Sequence, residues 1–65
     1  MRSRPAPKRD AIMQIRMAKV ALGASLEEAV AETAGWYRTK SVEELRTIRA
    51  ELHERVRAAK EGRTS

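Results

Sequence analysis

Two Ser-x-x-Glu segments constrain the fold of this chain more than any other feature. They are Ser25 to Glu28 and Ser41 to Glu44. In such a capping box, the serine hydroxyl accepts a hydrogen bond from a free amide in the first helical turn. The glutamate carboxylate accepts one from the serine amide in return. Each segment therefore predicts the start of a helix.

Proline and glycine supply the remaining helix boundaries. Pro7 is tolerated in a first helical turn, while Gly23, Gly35 and Gly62 stand where a glycine commonly follows a helix. No alternating apolar pattern indicates a strand. We expect an all-α fold, a small three-helix bundle with a long C-terminal helix and a basic flexible N-terminal arm. The expected divisions are an arm over 1–8, one helical domain over 9–62 and a disordered tail over 63–65, with helices over about 7–22, 25–35 and 42–60.

Apolar residues at helical spacing predict the buried faces. Trp36 and Tyr37 are the only aromatic residues, and we expect them at the centre of a small core. Met13 and Met17 lie one turn apart and are typical core residues. The predicted buried residues of the first two helices are Ile12, Met13, Ile15, Met17, Val20, Leu22, Leu26, Ala29, Val30, Thr33 and Ala34.

The size of the chain predicts an association with another molecule. A chain of 65 residues without phenylalanine buries little apolar area, so that its stability alone is marginal. We therefore expect a homodimer or a protein partner that completes the core. The third helix carries an apolar stripe spaced like a helix–helix seam. The predicted interface residues are Leu45, Ile48, Leu52 and Val56.

The charge pattern predicts a polyanionic partner. The net charge is +5, and arginine, the more abundant cation, suits phosphates and guanine edges well. On a helical wheel the third helix divides into an apolar stripe, a basic flank and an acidic flank. The basic flank would follow a phosphate backbone. The predicted DNA-binding residues are Arg2, Arg4, Lys8, Arg9, Arg38, Lys40, Arg46, Arg49, His53 and Arg57.

The segment 26–52 resembles a helix-turn-helix DNA-binding unit. Ala31 and Gly35 have the spacing of the small residue and the turn glycine in that family. The apolar anchor of the recognition helix, Val42, comes one residue later than the common pattern has it. The resemblance implies that 41–49 enters the major groove, with Arg46 and Arg49 at bases or phosphates. It also implies that the basic arm lies in the neighbouring minor groove.

These patterns favour a small DNA-binding protein that regulates transcription or a phage or plasmid function. The alternative is a helical protein-interaction module, such as an antitoxin-like partner, an adaptor or an inhibitor of a larger enzyme. RNA binding is a third possibility, but no RNA-specific motif supports it. Membrane-surface binding ranks last because the third helix lacks the aromatic anchors typical of such helices.

Several classes of function are not expected. No nucleophile stands beside a plausible base, so we expect neither an enzyme nor a cofactor or small-molecule substrate. His53 has no second ligand at metal spacing, which argues against a zinc site. The chain has no cysteine and no apolar run long enough to span a bilayer, so we expect a cytoplasmic protein. The Ala- and Arg-rich composition suggests a bacterial or phage source.

Overall fold

The computed structural model describes residues 7–64, with side chains over 7–62, and these residues form helices joined by short turns. Three helices and a single-turn helix follow one another along the chain, and no strand occurs over 7–64. The all-α, three-helix prediction is confirmed. The elements are α1 (Pro7–Ala21), α2 (Leu26–Glu32), the single turn α3 (Trp36–Thr39) and α4 (Val42–Thr64).

Both predicted capping boxes are present. The Glu28 amide donates to Ser25 Oγ across 3.0 Å, and the Ser25 amide donates to Glu28 Oε1 across 3.1 Å. At the start of α4, the Glu44 amide lies 3.1 Å from Ser41 Oγ and the Ser41 amide lies 2.9 Å from Glu44 Oε1. These bonds satisfy amides that have no partner inside the helix, so that α2 and α4 begin where the sequence predicts.

Two glycines differ from their predicted roles. α2 ends at Glu32, and Gly35, at φ +83°, lies at the start of α3 instead. Gly62 was expected to end the third helix, but α4 continues to Thr64. Gly62 is not among the described glycines with positive φ, the conformation by which a glycine usually stops a helix. Glycine in a helical conformation only weakens the helix.

α1 is the middle element of the fold, because α2, α3 and α4 all contact it. The Lys8 ammonium donates to the Tyr37 carbonyl across 3.2 Å, so α3 lies beside the start of α1. Arg49 reaches Gln14, halfway along α1. α4 therefore starts near the beginning of α1 and runs along it in the same direction.

α2 runs back along α1 in the opposite direction. The Lys19 ammonium lies 2.8 Å from the Glu32 carboxylate, and Arg16 Nε lies 2.8 Å from the Thr33 hydroxyl. Later residues of α2 thus meet earlier residues of α1. In the part of the chain that the structure describes, α2 and α4 do not pack against each other.

The core lies between α1 and α4, and this corrects the predicted partner interface. Leu45 and Leu52 are buried there, and Ile48 and Val56 pack against the same cluster. The apolar stripe of α4 thus contacts α1 of its own chain and is not open to a partner. The remaining buried members of the cluster are Ala11, Ile12, Ile15 and Ala18, with Trp36 packed at its edge.

Much of the predicted apolar surface of α1 and α2 remains exposed instead. α2 buries Ala29, and Thr33, which follows its last residue, is also buried, whereas Leu26 is 60% exposed. Met17 is 63% exposed and does not fill the core. Tyr37 is half exposed, so that Trp36 alone of the two aromatic residues joins the core. The other large apolar side chains left exposed are Met13, Val20, Leu22 and Val30.

α4 is the longest helix, with 23 residues. At about 1.5 Å per residue it spans roughly 35 Å. Charged residues recur along its whole length. No helix over 7–64 has the length and apolar content that crossing a membrane requires.

Candidate nucleic-acid interface

The strongest candidate site is the basic flank of α4, a row of side chains three or four residues apart. Residues at this spacing share one side of a helix. All of them are exposed except Arg49, which is half-buried. From its first to its last member the row spans roughly 21 Å of helix. The basic flank consists of Arg46, Arg49, His53, Arg57 and Lys60.

A chain of hydrogen bonds from α1 orients Arg49. Its Nη1 donates to Gln14 Oε1 across 3.1 Å, and Gln14 Nε2 donates to Asp10 Oδ2 across 3.1 Å. Only one of the five guanidinium N–H donors is used in this bond. Arg49 is thus held in place with donors left for a ligand, although Asp10 brings one negative charge to this side of α1.

The other members of the basic flank are held less firmly. Arg57 Nη2 lies 2.9 Å from Glu54 Oε2, and both side chains are about 70% exposed. Such exposed pairs contribute little stability, so a phosphate can compete for the guanidinium. Arg46 and His53 have no hydrogen bond or ion pair with another residue in the described part of the chain.

Of the acidic residues of α4, Glu44 and Glu51 lie on the side away from the basic flank, whereas Glu43, Glu54 and Glu61 border it. At about 100° per residue, Glu51 falls about 140° away from Arg46 around the helix. Glu44 is occupied in the capping box. A polyanion therefore meets mainly positive charge when it approaches the basic flank, and negative charge when it approaches from the opposite side.

The structure places two of the predicted DNA-binding residues outside α4 beside aromatic rings. Lys8 lies 5.7 Å from the centre of the Tyr37 ring, and Lys40 lies 5.0 Å from the centre of the Trp36 ring. Each of the two rings thus makes a cation–π contact with a lysine ammonium. Arg38 is exposed on α3, close in sequence to the start of α4.

Arg9 belongs to a different side of the molecule. It lies five residues before Gln14, which places it about 140° around α1 from the contact with Arg49. Arg9 lines a groove with Met13 and Tyr37 instead. The predicted contacts of Arg2 and Arg4 fall outside the described residues.

The helix-turn-helix resemblance does not extend to the packing. In that unit the two helices pack against each other across a short turn, at about 90–120°. Here α2 and α4 make no such contact, and both pack against α1. α3 also occupies the segment that would form the turn. The helix–helix packing implied by the resemblance is therefore wrong for this fold.

The two residues that orient Arg49 were not predicted from the sequence. Gln14 and Asp10 orient Arg49, but nothing in their sequence context indicates this, because 35 residues separate Gln14 from Arg49.

Over residues 7–62, no group of three or more histidine or acidic side chains is placed to hold a metal ion.

The fold and its surface define a small all-α protein with a basic flank along its longest helix. No protein-family model matches the chain, and comparison with curated proteins and with solved structures gives no match either.

Proposed function

We propose that this protein binds duplex DNA by contacting the phosphate backbone with the basic flank of α4. One observation carries the proposal: Arg46, Arg49 and Arg57 share one side of a continuous helix, next to the side that packs on α1, and Arg46 and Arg57 are exposed there. Because α4 is already packed on α1, its backbone does not have to become ordered on binding. Duplex DNA carries one negative charge per ~1.7 Å of its axis, so that a row of roughly 21 Å meets several phosphates.

The residues that are present favour a duplex over a single strand. Single-strand binding without sequence preference relies on aromatic rings on which bases stack. Lys8 and Lys40 lie over the two rings of this chain, and Trp36 is also part of the core. Phosphate contacts are the remaining mode, and they position a protein without reading sequence. We propose a role as a cytoplasmic regulator of transcription or of a phage or plasmid function.

Salt dependence of binding to a labelled random duplex tests the proposal. Each phosphate contact contributes about −0.9 to the slope of log K against log salt concentration, so we expect a slope of roughly −3 to −5. Arg46→Ala removes one unpaired member of the basic flank and should make the slope less steep by about 1. Fluorescence anisotropy at several salt concentrations measures both quantities.

Arg55→Ala is the matched control. Arg55 is exposed on the same helix and lies nine residues from Arg46, which places it on the opposite side. The two variants lose the same charge, but only Arg46→Ala should change the slope. Equal effects would mean that net charge rather than the basic flank drives binding, and a wild-type protein that does not bind duplex DNA would refute the proposal outright.

The alternative function is a protein-interaction module. The exposed apolar side chains of α1 and α2, such as Met17 and Leu26, favour it. In that case Arg46→Ala should leave function unchanged, whereas polar substitutions of Met17 or Leu26 should abolish complex formation. The anisotropy measurement on wild type and Arg46→Ala therefore distinguishes the two functions.

A further inference from the structure

The helices α1 and α2 together present an uncovered apolar surface, which we call the apolar face. Its members are between 38% and 63% exposed. On α1 they follow one another at helical spacing, and on α2 they lie one turn apart. The apolar face consists of Met13, Met17, Val20, Leu26 and Val30.

The contacts between α1 and α2 place these residues on the same side. Around α1, Lys19, Arg16 and Met13 lie about 60° apart in that order, and Lys19 and Arg16 contact α2. Glu32 and Thr33 of the α2 segment are the partners of Lys19 and Arg16. In the same direction of rotation around α2, Glu32 comes first, Thr33 second and Val30 third. Because the two helices are antiparallel, the side of α1 that carries Met13 lies next to the side of α2 that carries Val30. The apolar face is therefore continuous across both helices.

A groove opens at one end of the apolar face. It has a volume of about 230 Å³ and is lined by Met13, Thr33, Gly35 and Tyr37, among others. A cavity of ~150 Å³ already holds a benzene ring. The groove therefore has room for a leucine side chain from another molecule.

Opposite charges mark the two ends of the apolar face. Arg9 lines the groove at the end where α1 begins. Glu27 lies in the first turn of α2, near the end of α1 and next to the edge that carries Leu26 and Val30. Neither charge has a hydrogen bond or ion pair with another described residue. The apolar face thus has a positive and a negative end, roughly 18 Å apart along α1.

We propose that the apolar face binds a second copy of this chain around a two-fold axis through its centre. A two-fold axis turns the face end for end, so that Arg9 of each copy lies opposite Glu27 of the other. The same rotation brings Leu26 of the second copy to the groove beside Met13. A parallel arrangement would instead bring like charges together, which is costly at an interface. This dimer does not depend on DNA binding.

The charge pair gives a test by reversal. Arg9→Glu and Glu27→Arg each create two repulsive pairs in a symmetric dimer, so each should raise the dimer Kd by at least about tenfold. An equimolar mixture of the two variants should form heterodimers, because both pairs across the axis then join opposite charges. The double variant should dimerise within about threefold of wild type, since it restores both pairs. Sedimentation over a range of concentrations measures each Kd, and circular dichroism measures helix content.

Glu43→Arg and Arg55→Glu are the matched controls, because they make the same charge changes on exposed positions of α4. Both should dimerise like wild type. The proposal is overturned if the wild-type chain stays monomeric up to about 1 mM. It is also overturned if the reversals at Arg9 and Glu27 act like the controls, or if combining them fails to restore the dimer.

Discussion

Arg16 Nε donates to the hydroxyl of Thr33 across 2.8 Å, and this bond joins α1 to α2. Thr33 is 2% exposed, and its hydroxyl donates in turn to the Ala29 carbonyl across 2.9 Å. α2 buries little else against α1. A hydrogen bond therefore attaches α2 to α1, whereas apolar packing attaches α4 to it. The other apolar residues of α2 stay exposed and contribute to the apolar face.

Removing the Thr33 hydroxyl should destabilise the chain. Thr33→Val keeps the shape of the side chain but leaves the partly buried Arg16 without its partner, at an expected cost of about 1–3 kcal/mol. Arg16→Met removes the guanidinium that needs a partner, so Thr33→Val should cost about 1 kcal/mol less in that background. Urea unfolding of the four proteins gives the coupling. Additive effects would show that the bond does not couple the two residues.

Leu45 and Leu26 should respond differently to the same substitution. Leu45 is fully buried between α1 and α4, and Leu45→Ala should cost about 2–5 kcal/mol. Total stability is only ~0.05–0.15 kcal/mol per residue, so this variant should be largely unfolded. Leu26→Ala, at 60% exposure, should change stability by less than about 1 kcal/mol in dilute solution. Thermal unfolding followed by circular dichroism compares them, and similar losses would contradict the burial of Leu45 between α1 and α4.

Gly35 and Gly62 should also respond in opposite ways. Apart from the adjacent residues and the backbone of the same helix, no atom lies within 4 Å of a Cβ added at either position, so the backbone conformation is what distinguishes them. Gly35 has φ +83°, and Gly35→Ala should cost about 1–2 kcal/mol. Gly62 lies inside α4, and Gly62→Ala should stabilise that helix by up to about 0.5–1 kcal/mol. A stabilising Gly35→Ala would mean that the turn before α3 is formed differently.

The capping box of α4 gives a further prediction. Ser41→Ala removes the acceptor of the Glu44 amide and should cost about 1 kcal/mol. Ser41→Asp keeps an acceptor at the same position and should be close to wild type. Urea unfolding distinguishes the two variants. An alanine variant as stable as wild type would show that water replaces the serine without loss.

The helix starts could be predicted from the sequence because capping is local. Ser25 and Ser41 each act on residues within their own first turn, and no distant contact is needed to recognise them. The basic flank of α4 was predictable for a similar reason, since helical periodicity alone places Arg46, His53 and Arg57 on one side. These features depend on a few neighbouring residues.

The distribution of apolar residues between core and surface could not be predicted in the same way. Periodicity shows that α1 carries a broad apolar band, but only the position of α4 decides that Ile15 is buried and Met17 is not. The stripe around Leu52 looked like an interface because a seam within a chain and a seam between chains have the same spacing. The helix-turn-helix resemblance was wrong for a related reason: a local spacing does not determine which helix packs on which.

The position of α1 between α2 and α4 has a consequence for biosynthesis. The contact of Gln14 with Arg49 closes a separation of 35 residues, so the apolar side of α1 has nothing to pack against until most of α4 has been translated. The hairpin of α1 and α2 can form earlier, because its contacts are short in sequence. During synthesis the chain thus exposes two apolar surfaces, the side of α1 that later packs on α4 and the apolar face. Once α4 is complete, only the apolar face remains exposed.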